Sequence, residues 1–469
     1  MKKLFLLLPL VFLAITLIFT FNSLTQSTES DHSDRIEGPF KSPSDVTKAC
    51  LICHEDQAAS FMKTQHWNWL SDEFETPKGK MRFGKRNMIN NFCTSVASNE
   101  VKCGTCHPSY GFKDANFDFT NPENIDCLVC HAAYDTYSKS CEGDMTSEIS
   151  DKLLKAAQSV GKTKTSNCGF CHYNGGGGDN VKHGDLYSAI EKATPDTDVH
   201  IGGKKFTCTS CHKTENHKIT GAGHSEMAEG TNHIACTDCH DKGNETHKNK
   251  LYNKHLNSIA CQTCHIPEIA NEVPTMTYWD WSQAGKKEDE RNAEGYIVYS
   301  KQKGAYTLEK NVTPVYRWYN GSAEYYQIGD KVNPNEIVHL NKLNGDIRDA
   351  KAKLYPFKLM KGKQIFDSKN NYLILPHYTG EDGYWKTFDW NKSAEIGMKA
   401  AGLEYSGEYG FIETEMYYTI NHMVPNPKKN ALKCQDCHNK GTRIDWEAMG
   451  FPGDPIKKGG REKNGLVKF

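Results

Sequence analysis

The strongest constraint on this chain is a short pattern, C-x-x-C-H, that occurs eight times in 469 residues. At these cysteine and histidine frequencies, chance would give on the order of 0.03 copies. The pattern is therefore imposed by a chemistry that needs two thiols and an imidazole at fixed spacing. The copies use sixteen of the eighteen cysteines and lie at Cys50-Cys53-His54, Cys103-Cys106-His107, Cys127-Cys130-His131, Cys168-Cys171-His172, Cys208-Cys211-His212, Cys236-Cys239-His240, Cys261-Cys264-His265 and Cys434-Cys437-His438.

Covalent haem attachment explains every position of the pattern. Two thiols three residues apart add to the two vinyl groups of one haem, and the next residue offers an imidazole to its iron. Zinc knuckles also use C-x-x-C pairs, but neither zinc nor a disulfide framework requires a histidine directly after each pair. The sequence therefore predicts eight covalently bound haem c groups, with the eight motif histidines as their proximal ligands.

The composition agrees with a core made largely of cofactor. Only 37% of the residues are hydrophobic, which is low for an enzyme of this length. Eight apolar porphyrin plates would replace much of the missing aliphatic core. We therefore expect a multihaem cytochrome c fold, mainly α with much irregular loop, packed around eight haems and with few short β-strands.

The spacing of the motifs divides the chain into four parts. Residues 1–30 form a signal peptide or N-terminal anchor, and residues 31–270 form a haem-rich region with seven motifs. Residues 271–430 are an aromatic-rich insertion or helical region, and residues 431–469 carry the eighth motif and a C-terminal tail.

Within the insertion, hydrophobic patterning predicts three elements. Thr307–Val315 and Asn371–Leu375 read as short strands, and Glu408–Val424 reads as a helix because its apolar residues recur near helical spacing. The aromatic residues of this region are expected to pack around haems and between loops, with some of them available for a substrate channel.

The N-terminus indicates export. Two lysines precede an uncharged apolar run, which is typical of a secretory signal, although the run is long enough to remain as a membrane anchor. Both alternatives place the rest of the chain outside the cytoplasm, and we expect a periplasmic location. The formal net charge of -1 excludes nucleic acid as a natural partner.

Eight irons require eight distal positions, and histidine is the obvious residue to fill them. A haem with two imidazoles suits electron transfer, whereas catalysis needs at least one iron whose sixth position is open or weakly held. His32 lies in the leader. His233 lies too close to its own motif to bind that haem but could serve a neighbouring one, so His224 and His233 are reserve candidates. The predicted distal ligands are His66, His183, His200, His217, His247, His255 and His422.

The loop after the fourth motif, G-G-G-G-D-N-V-K-H-G-D at 175–185, offers a different ligand. Glycines let a backbone approach a flat cofactor closely. Lys182 could then bind iron as a neutral amine that substrate displaces more easily than imidazole. The alternative is a solvated lysine in a flexible loop.

The motif layout and this glycine-lysine loop resemble octahaem tetrathionate reductases, which are exported bacterial respiratory cytochromes. These are distantly similar in haem arrangement to pentahaem nitrite reductase and hydroxylamine oxidoreductase. The resemblance covers the mature chain. It implies that the haem bound by Cys103, Cys106 and His107 takes Lys182 as its sixth ligand, and that Cys93 and Asp179 line the same pocket.

The resemblance implies two-electron reduction of tetrathionate to thiosulfate at that haem. Reduction of nitrite or hydroxylamine at the same iron is the first alternative, and a non-catalytic electron conduit is the second. Cys93 either stays free beside the iron or forms a disulfide with Cys141. Expected partners are a small inorganic anion as substrate and a redox partner, such as a membrane quinol-linked or small c-type cytochrome.

Overall fold

The computed structural model describes residues 32–76, 79–92, 95–139, 146–221, 227, 233–242, 245–439, 441 and 443–469. Each of the eight motifs begins, ends or lies within a helical segment, because side chains three residues apart share one face of a helix. This geometry suits two thiols directed to the same side in seven motifs, whereas in the second motif only Cys103 belongs to the helix. The segments are Pro43–Phe61, Glu100–Cys103, Leu128–His131, Thr165–His172, Cys208–Cys211, Thr237–His240, Cys261–His265 and Cys434–Cys437.

Two longer helices carry no motif. Ser147–Gln158 buries Leu153 and Ala157, four residues apart, against the helix Pro43–Phe61. Trp390–Ala400 packs on the sheet described below. The remaining helical turns are Gln65–Asn68, Pro122–Asn124, Ser188–Lys192, Val199–Gly203, Lys250–Asn253, Trp281–Gln283, Tyr384–Thr387, Pro427–Asn430 and Pro455–Lys458.

The part of the chain between the seventh and eighth motifs is a β domain. Residues 245–439 are described without a break and contain a nine-stranded sheet in the order β11-β15-β13-β5-β8-β7-β6, with β9 and β14 also paired to β13. The strands of this sheet are β5 (Thr275–Asp280), β6 (Glu290–Arg291), β7 (Ile297–Ser300), β8 (Gly304–Glu309), β9 (Val315–Tyr319), β11 (Val338–His339), β13 (Lys353–Asp367), β14 (Tyr372–Leu373) and β15 (Tyr409–Thr419).

Three two-stranded sheets complete the described strands. They pair β1 (Phe74–Thr76) with β2 (Gly79–Met81), β3 (Thr214–Glu215) with β4 (Lys218–Ile219), and β10 (Ala323–Tyr325) with β12 (Asn341–Leu343).

Strand β13 organises the sheet and its core. It runs antiparallel to β15 from Phe357 opposite Thr419 to Asp367 opposite Tyr409. Leu354, Phe357 and Met360 on β13 are fully buried. Because every residue of β13 is paired with β9 or β15, its backbone is held over its whole length. It therefore provides a rigid base on which neighbouring loops can be held.

The expectation of few short β-strands is wrong in this region. Residues 271–430 are mainly strand and loop, and they include the 15-residue β13 and the 11-residue β15. Glu408–Val424 contains strand β15 rather than a helix. Its buried Ile412, Met416 and Ile420 are spaced by four, an even number, so they also share one face of a strand.

The predictions of the two short strands agree better with the structure than the prediction of the helix. Thr307–Val315 overlaps the end of β8 and the first residue of β9, with a turn between them, and Asn371–Leu375 contains β14. Among the described residues no helix is long and apolar enough to cross a membrane. The predicted signal peptide or anchor at 1–30 lies outside the described residues.

Candidate haem-binding and catalytic site

Seven of the eight motif histidines lie opposite a second histidine in the described part of the chain. The ring centroids of these pairs are separated by 6.1 to 6.4 Å. Two metal–imidazole bonds of about 2 Å, plus a ring radius of roughly 1.1 Å on each side, give about 6.2 Å. The pairs are His54 with His32, His131 with His217, His172 with His66, His212 with His422, His240 with His200, His265 with His247, and His438 with His255.

The other nitrogen of many of these rings has a protein partner. Nδ1 contacts an oxygen in six of them: Gly161 O for His131, Ser60 Oγ for His217, Thr220 O for His212, Asn253 Oδ1 for His247, Asp185 Oδ2 for His422 and Asp454 Oδ1 for His438. Such partners orient a ligating imidazole and leave Nε2 for the metal. The described residues therefore fit a haem iron between the two rings of each pair.

The observed pairs differ from the predicted distal set by one member. His66, His200, His217, His247, His255 and His422 each lie opposite a motif histidine, as ligands would. His183 is in none of these pairs, and His32 occupies the place across from His54. The seventh partner is thus a residue that the sequence analysis had assigned to the leader, because only the folded chain brings residue 32 back over the first motif.

Two of the pairs have a carboxylate behind one ring. Asp185 is 2% exposed, and its Oδ2 accepts hydrogen bonds from the backbone of Asn421 and His422 at 2.7 and 2.9 Å. Burial lowers the pKa of His422, but the hydrogen bond and the charge of Asp185 outweigh it, so this pKa is raised. Asp454 lies 2.7 Å from Nδ1 of His438.

His107 of the second motif is the exception among the motif histidines. Its side chain has no exposed surface, and burial lowers its pKa to about 4, so the ring is neutral at physiological pH. In the described part of the chain, the rings that surround it belong to tryptophan and phenylalanine side chains and not to a second histidine. They belong to Trp69, Phe112, Trp67, Phe119 and Phe117, with centroids 4.5, 4.9, 5.4, 5.8 and 6.1 Å from that of His107.

Both nitrogens of His107 have protein partners. Nε2 lies 2.8 Å from the carbonyl oxygen of Trp67, and Nδ1 lies 2.7 Å from Oγ of Ser109. A carbonyl oxygen only accepts, so Nε2 carries the hydrogen and the hydroxyl of Ser109 donates to Nδ1. Metal binding at Nε2 requires the hydrogen to move to Nδ1, where Ser109 Oγ accepts it, and the Trp67 carbonyl to give way.

A buried ion pair supports this histidine from behind. Lys139 Nζ donates to the backbone oxygen of Ser109 at 2.8 Å and to Oδ2 of Asp126 at 3.0 Å. The side chains of Lys139 and Asp126 are 7% and 0% exposed. Ser109 is therefore fixed at both its hydroxyl and its carbonyl, which restricts the orientation of the His107 ring.

The glycine loop is half-buried, with Gly177 exposed, and it packs against several side chains. A Cβ at Gly175 would lie 3.2 Å from Cδ of Lys182, and one at Gly176, where φ is +80°, would lie 2.9 Å from the Phe92 ring. Lys182 itself is 4% exposed. Gly176 is thus required by its positive φ and by the Phe92 ring, and a larger residue at Gly175 would crowd Lys182. The interpretation of Lys182 as a solvated lysine is wrong.

One contact just before this loop and one electrostatic interaction beside it link this region with the second motif. Sγ of Cys171, four residues before Gly175, lies 3.8 Å from the backbone oxygen of Cys106. On the other side, Lys303 lies 3.6 Å from the position of a Cβ at Gly177 and interacts electrostatically with Lys102, next to Cys103. The fold therefore brings the loop of Lys182 beside the motif of His107.

The other predicted pocket residues have different outcomes. Asp179 is half-buried, and its carboxylate accepts hydrogen bonds from the backbone and hydroxyl of Ser188 at 2.9 and 2.5 Å. Cys93 and Cys141 lie outside the described residues, so their state remains a prediction. None of the sixteen motif cysteines, all of which are described, forms a disulfide.

Thiols of neighbouring motifs lie against one another. Cys50 of the first motif contacts Cys127 of the third, Cys168 of the fourth contacts Cys208 of the fifth, and Cys236 of the sixth contacts Cys261 of the seventh. The second motif contacts the fourth through Cys106 and Cys171. Electrostatic interactions between thiols also connect the third motif with the fourth, the fifth with the sixth and the seventh with the eighth. The motifs are thus arranged in one connected series.

Sequence reasoning missed four residues of this site. Ser109 and Asp185 support motif or distal histidines. Lys303, in the turn between β7 and β8, and Lys358, on β13, lie against the glycine loop. None of them belongs to a motif. Lys303 and Lys358 are separated from the loop by more than a hundred residues, so no local pattern connects them with it.

The comparisons with known proteins agree with this site. A family model described as bacterial cytochrome c matches residues 276–441. An uncharacterized protein of Archaeoglobus fulgidus is 26% identical over 239 residues, which cover 40% of this chain and 80% of that protein. A crystal structure of an octaheme cytochrome c from Shewanella oneidensis superposes with a TM-score of 0.84 at 47% identity, covering 91% of this chain and 98% of the other. The chain therefore belongs to the octahaem cytochrome c family, as the resemblance of its motifs to octahaem tetrathionate reductases predicted, and it carries covalently bound haem c.

Proposed function

We propose that the chain is an exported octahaem reductase that converts tetrathionate to thiosulfate at the haem of the second motif. One observation carries the proposal. Among the described residues, His107 is the motif histidine without an imidazole opposite it, and the loop of Lys182 lies beside its motif. At an iron held by His107 and an amine, substrate would displace the distal ligand more easily than at an iron held by two imidazoles.

The proposed reaction needs two electrons and no protons. Tetrathionate takes up two electrons, its central S–S bond breaks, and two thiosulfate dianions leave without consuming a proton. Haem c groups supply one-electron transfer when bound, and several neighbouring haems can deliver two electrons to one substrate. The chain itself has to bind a dianion, admit it to the iron and release two anions.

Cationic side chains around the second motif suit an anionic substrate. Arg86 acts electrostatically on His107, Lys102 precedes Cys103 of the motif, and Lys303 lies beside Gly177 of the glycine loop. Arg86 also lies 4.5 Å from the centroid of the Phe119 ring. In this proposal these charges attract tetrathionate, Lys182 would be the ligand that gives way to substrate, and Asp179 would line the same pocket, as the resemblance implies also for Cys93.

The series of thiol contacts supports a route for electrons. The second motif lies at a branch from the fourth, and the series ends at the first and eighth motifs. Electrons from a membrane quinol-linked or small c-type cytochrome would be taken up at an end of the series and passed to the branch. This arrangement also serves reduction of nitrite or hydroxylamine, which remains the second candidate because its substrates could bind the same iron.

Electron paramagnetic resonance of the oxidised holoprotein tests the ligand set. We expect seven low-spin haems with two imidazoles and one with a distinct signal from His107 and Lys182. Lys182→Ala should remove that signal and give a high-spin haem, whereas Lys192→Ala, an exposed change in the same segment, should leave all signals in place.

Turnover with a reduced dye tests the substrate. We expect two electrons to be consumed for each tetrathionate, at a higher kcat/KM than for nitrite or hydroxylamine. Eight haems with two imidazoles each and no turnover would leave only the conduit, and preferential turnover of a nitrogen compound would establish the second candidate.

A further inference from the structure

A buried lysine of the sheet reaches the backbone of the glycine-lysine loop. Lys358 lies on β13, is 1% exposed, and extends towards residues 181–184. Its Cδ would be 3.5 Å from a Cβ at Gly184, and its ammonium lies 5.1 Å from the centroid of the Phe92 ring. Its path is therefore fixed by packing on a rigid strand.

The ammonium of Lys358 donates to the loop itself. It lies 2.9 Å from the carbonyl oxygen of Val181 and 2.7 Å from that of Lys182. Its third contact is Oγ1 of Thr275, at the start of β5. An ammonium has three hydrogens, so these three acceptors use all of its donors.

Thr275 extends the same support by one residue. Its hydroxyl donates to the carbonyl oxygen of Asn180 at 2.7 Å, and the neighbouring Met276 N donates to Val181 O at 3.2 Å. The carbonyl groups of residues 180, 181 and 182 are therefore all held by β5 and β13. Two successive fixed peptide planes determine the direction of the bond from Cα to Cβ at Lys182.

Such fixation matters for a lysine that has to act as a ligand. A lysine side chain has four rotatable bonds and loses substantial conformational freedom when it is held in one place. If the backbone at Lys182 could move, many conformers would carry the amine away from the iron. Gly175 limits the side chain from one direction, and the fixed carbonyl groups limit its origin.

We propose that Lys358 is a positioning residue, whose ammonium fixes the backbone of Lys182 and so keeps its amine on the iron of the second motif. The proposal rests on the proposed function, because it assumes that Lys182 is the sixth ligand. It assigns to the β insertion a direct role in setting how firmly Lys182 occupies the sixth position of the catalytic iron.

Lys358→Met tests this role in the holoprotein, because methionine keeps most of the volume and removes the donors. We expect the resonance signal assigned to His107 and Lys182 to be replaced by a high-spin signal, while the signals of the other seven haems persist. Added imidazole should bind this haem about tenfold more tightly, because a displaced ligand no longer competes for the site. Lys361→Met is the matched control, since Lys361 is an exposed residue of the same strand.

Three results would overturn the proposal or its premise. A folded Lys358→Met protein with an unchanged lysine signal and imidazole affinity would reduce Lys358 to a structural residue. If that variant fails to load haem, Thr275→Val decides alone, and an imidazole affinity equal to that of the wild type overturns the proposal. Two imidazoles on every haem of the wild type would instead refute the proposed function, which separates the two failures.

Discussion

At the scale of single residues, the paired histidines differ in what lies behind them. Carbonyl and hydroxyl oxygens face Nδ1 of His131, His212 and His217, whereas carboxylates face His422 and His438. A carboxylate increases the negative charge on a ligating imidazole, and that charge stabilises ferric iron over ferrous iron. The haems of the fifth and eighth motifs should therefore have the lowest reduction potentials among those with two imidazoles.

Asp185→Asn tests this difference at one position. The amide keeps the size of the side chain but removes the negative charge of a residue that is only 2% exposed. We expect the potential of the haem of the fifth motif to rise on the order of 60 mV, which corresponds to a tenfold change in a one-electron equilibrium. Spectroelectrochemical titration of the holoprotein measures the change.

Asp196→Asn provides the control for Asp185→Asn. Asp196 forms an exposed ion pair with Lys429, and its loss should leave every potential unchanged. Equal shifts in both variants would show that the effect comes from net charge and not from the contact with His422.

At the scale of elements, the hairpin of β7 and β8 shows why the insertion matters for the site. The turn between the two strands places Lys303 beside the glycine loop, and the indole of Trp279 donates to the carbonyl oxygen of Lys303 at 2.6 Å. Burial lowers the pKa of Lys303, and the neighbouring charge of Lys102 lowers it further. The hairpin thus carries a cation to the edge of the candidate pocket.

We expect Lys303→Met to raise KM for tetrathionate about fivefold, because one charge near a protein surface contributes roughly 1 kcal/mol to the attraction of an anion. The increase should shrink at high salt. Hydroxylamine, which is largely uncharged near neutral pH, should show no such change. Steady-state kinetics at two salt concentrations measures both effects.

Lys301→Met is the matched control on the same hairpin. Lys301 pairs with Glu288 at the surface, so its removal should not affect KM. A KM for tetrathionate that does not respond to Lys303→Met at low salt would exclude this lysine from substrate attraction.

At the scale of the whole molecule, the eight motifs form one connected series while a separate β domain covers part of it. The main hydrophobic cluster lies in and around the nine-stranded sheet, whereas much smaller clusters lie among the motifs. The motif region thus has little aliphatic core of its own in the described residues. Bound haem should supply the missing apolar surface there.

The purified chain should contain eight haems. Alkaline pyridine spectra, combined with amino acid analysis, should give eight haem c groups for each polypeptide, and the haems should stay attached after denaturation because thioether bonds are covalent. A ratio of seven or fewer in fully matured protein would mean that at least one C-x-x-C-H motif does not bind haem.

The amino-acid sequence alone determined the attachment chemistry, because C-x-x-C-H is a local pattern whose spacing suffices to place two thiols and an imidazole. It also led to Lys182 through its resemblance to a family, and to six of the seven histidines that lie opposite motif histidines. It missed His32 as a partner of His54, and it predicted a helix where Tyr409–Thr419 form a strand. Both features depend on long-range contacts.

Only the tertiary structure decided how the site is supported. The pairing of His32 with His54, the contact of Asp185 with His422, and the hold of Lys358 on Lys182 join residues far apart in the chain. Such contacts leave no periodic pattern in the sequence, because each partner fits the hydrophobic pattern of its own helix, strand or loop. The physical reason is that a motif specifies what can bind a haem, whereas packing between distant elements specifies how firmly each ligand is held.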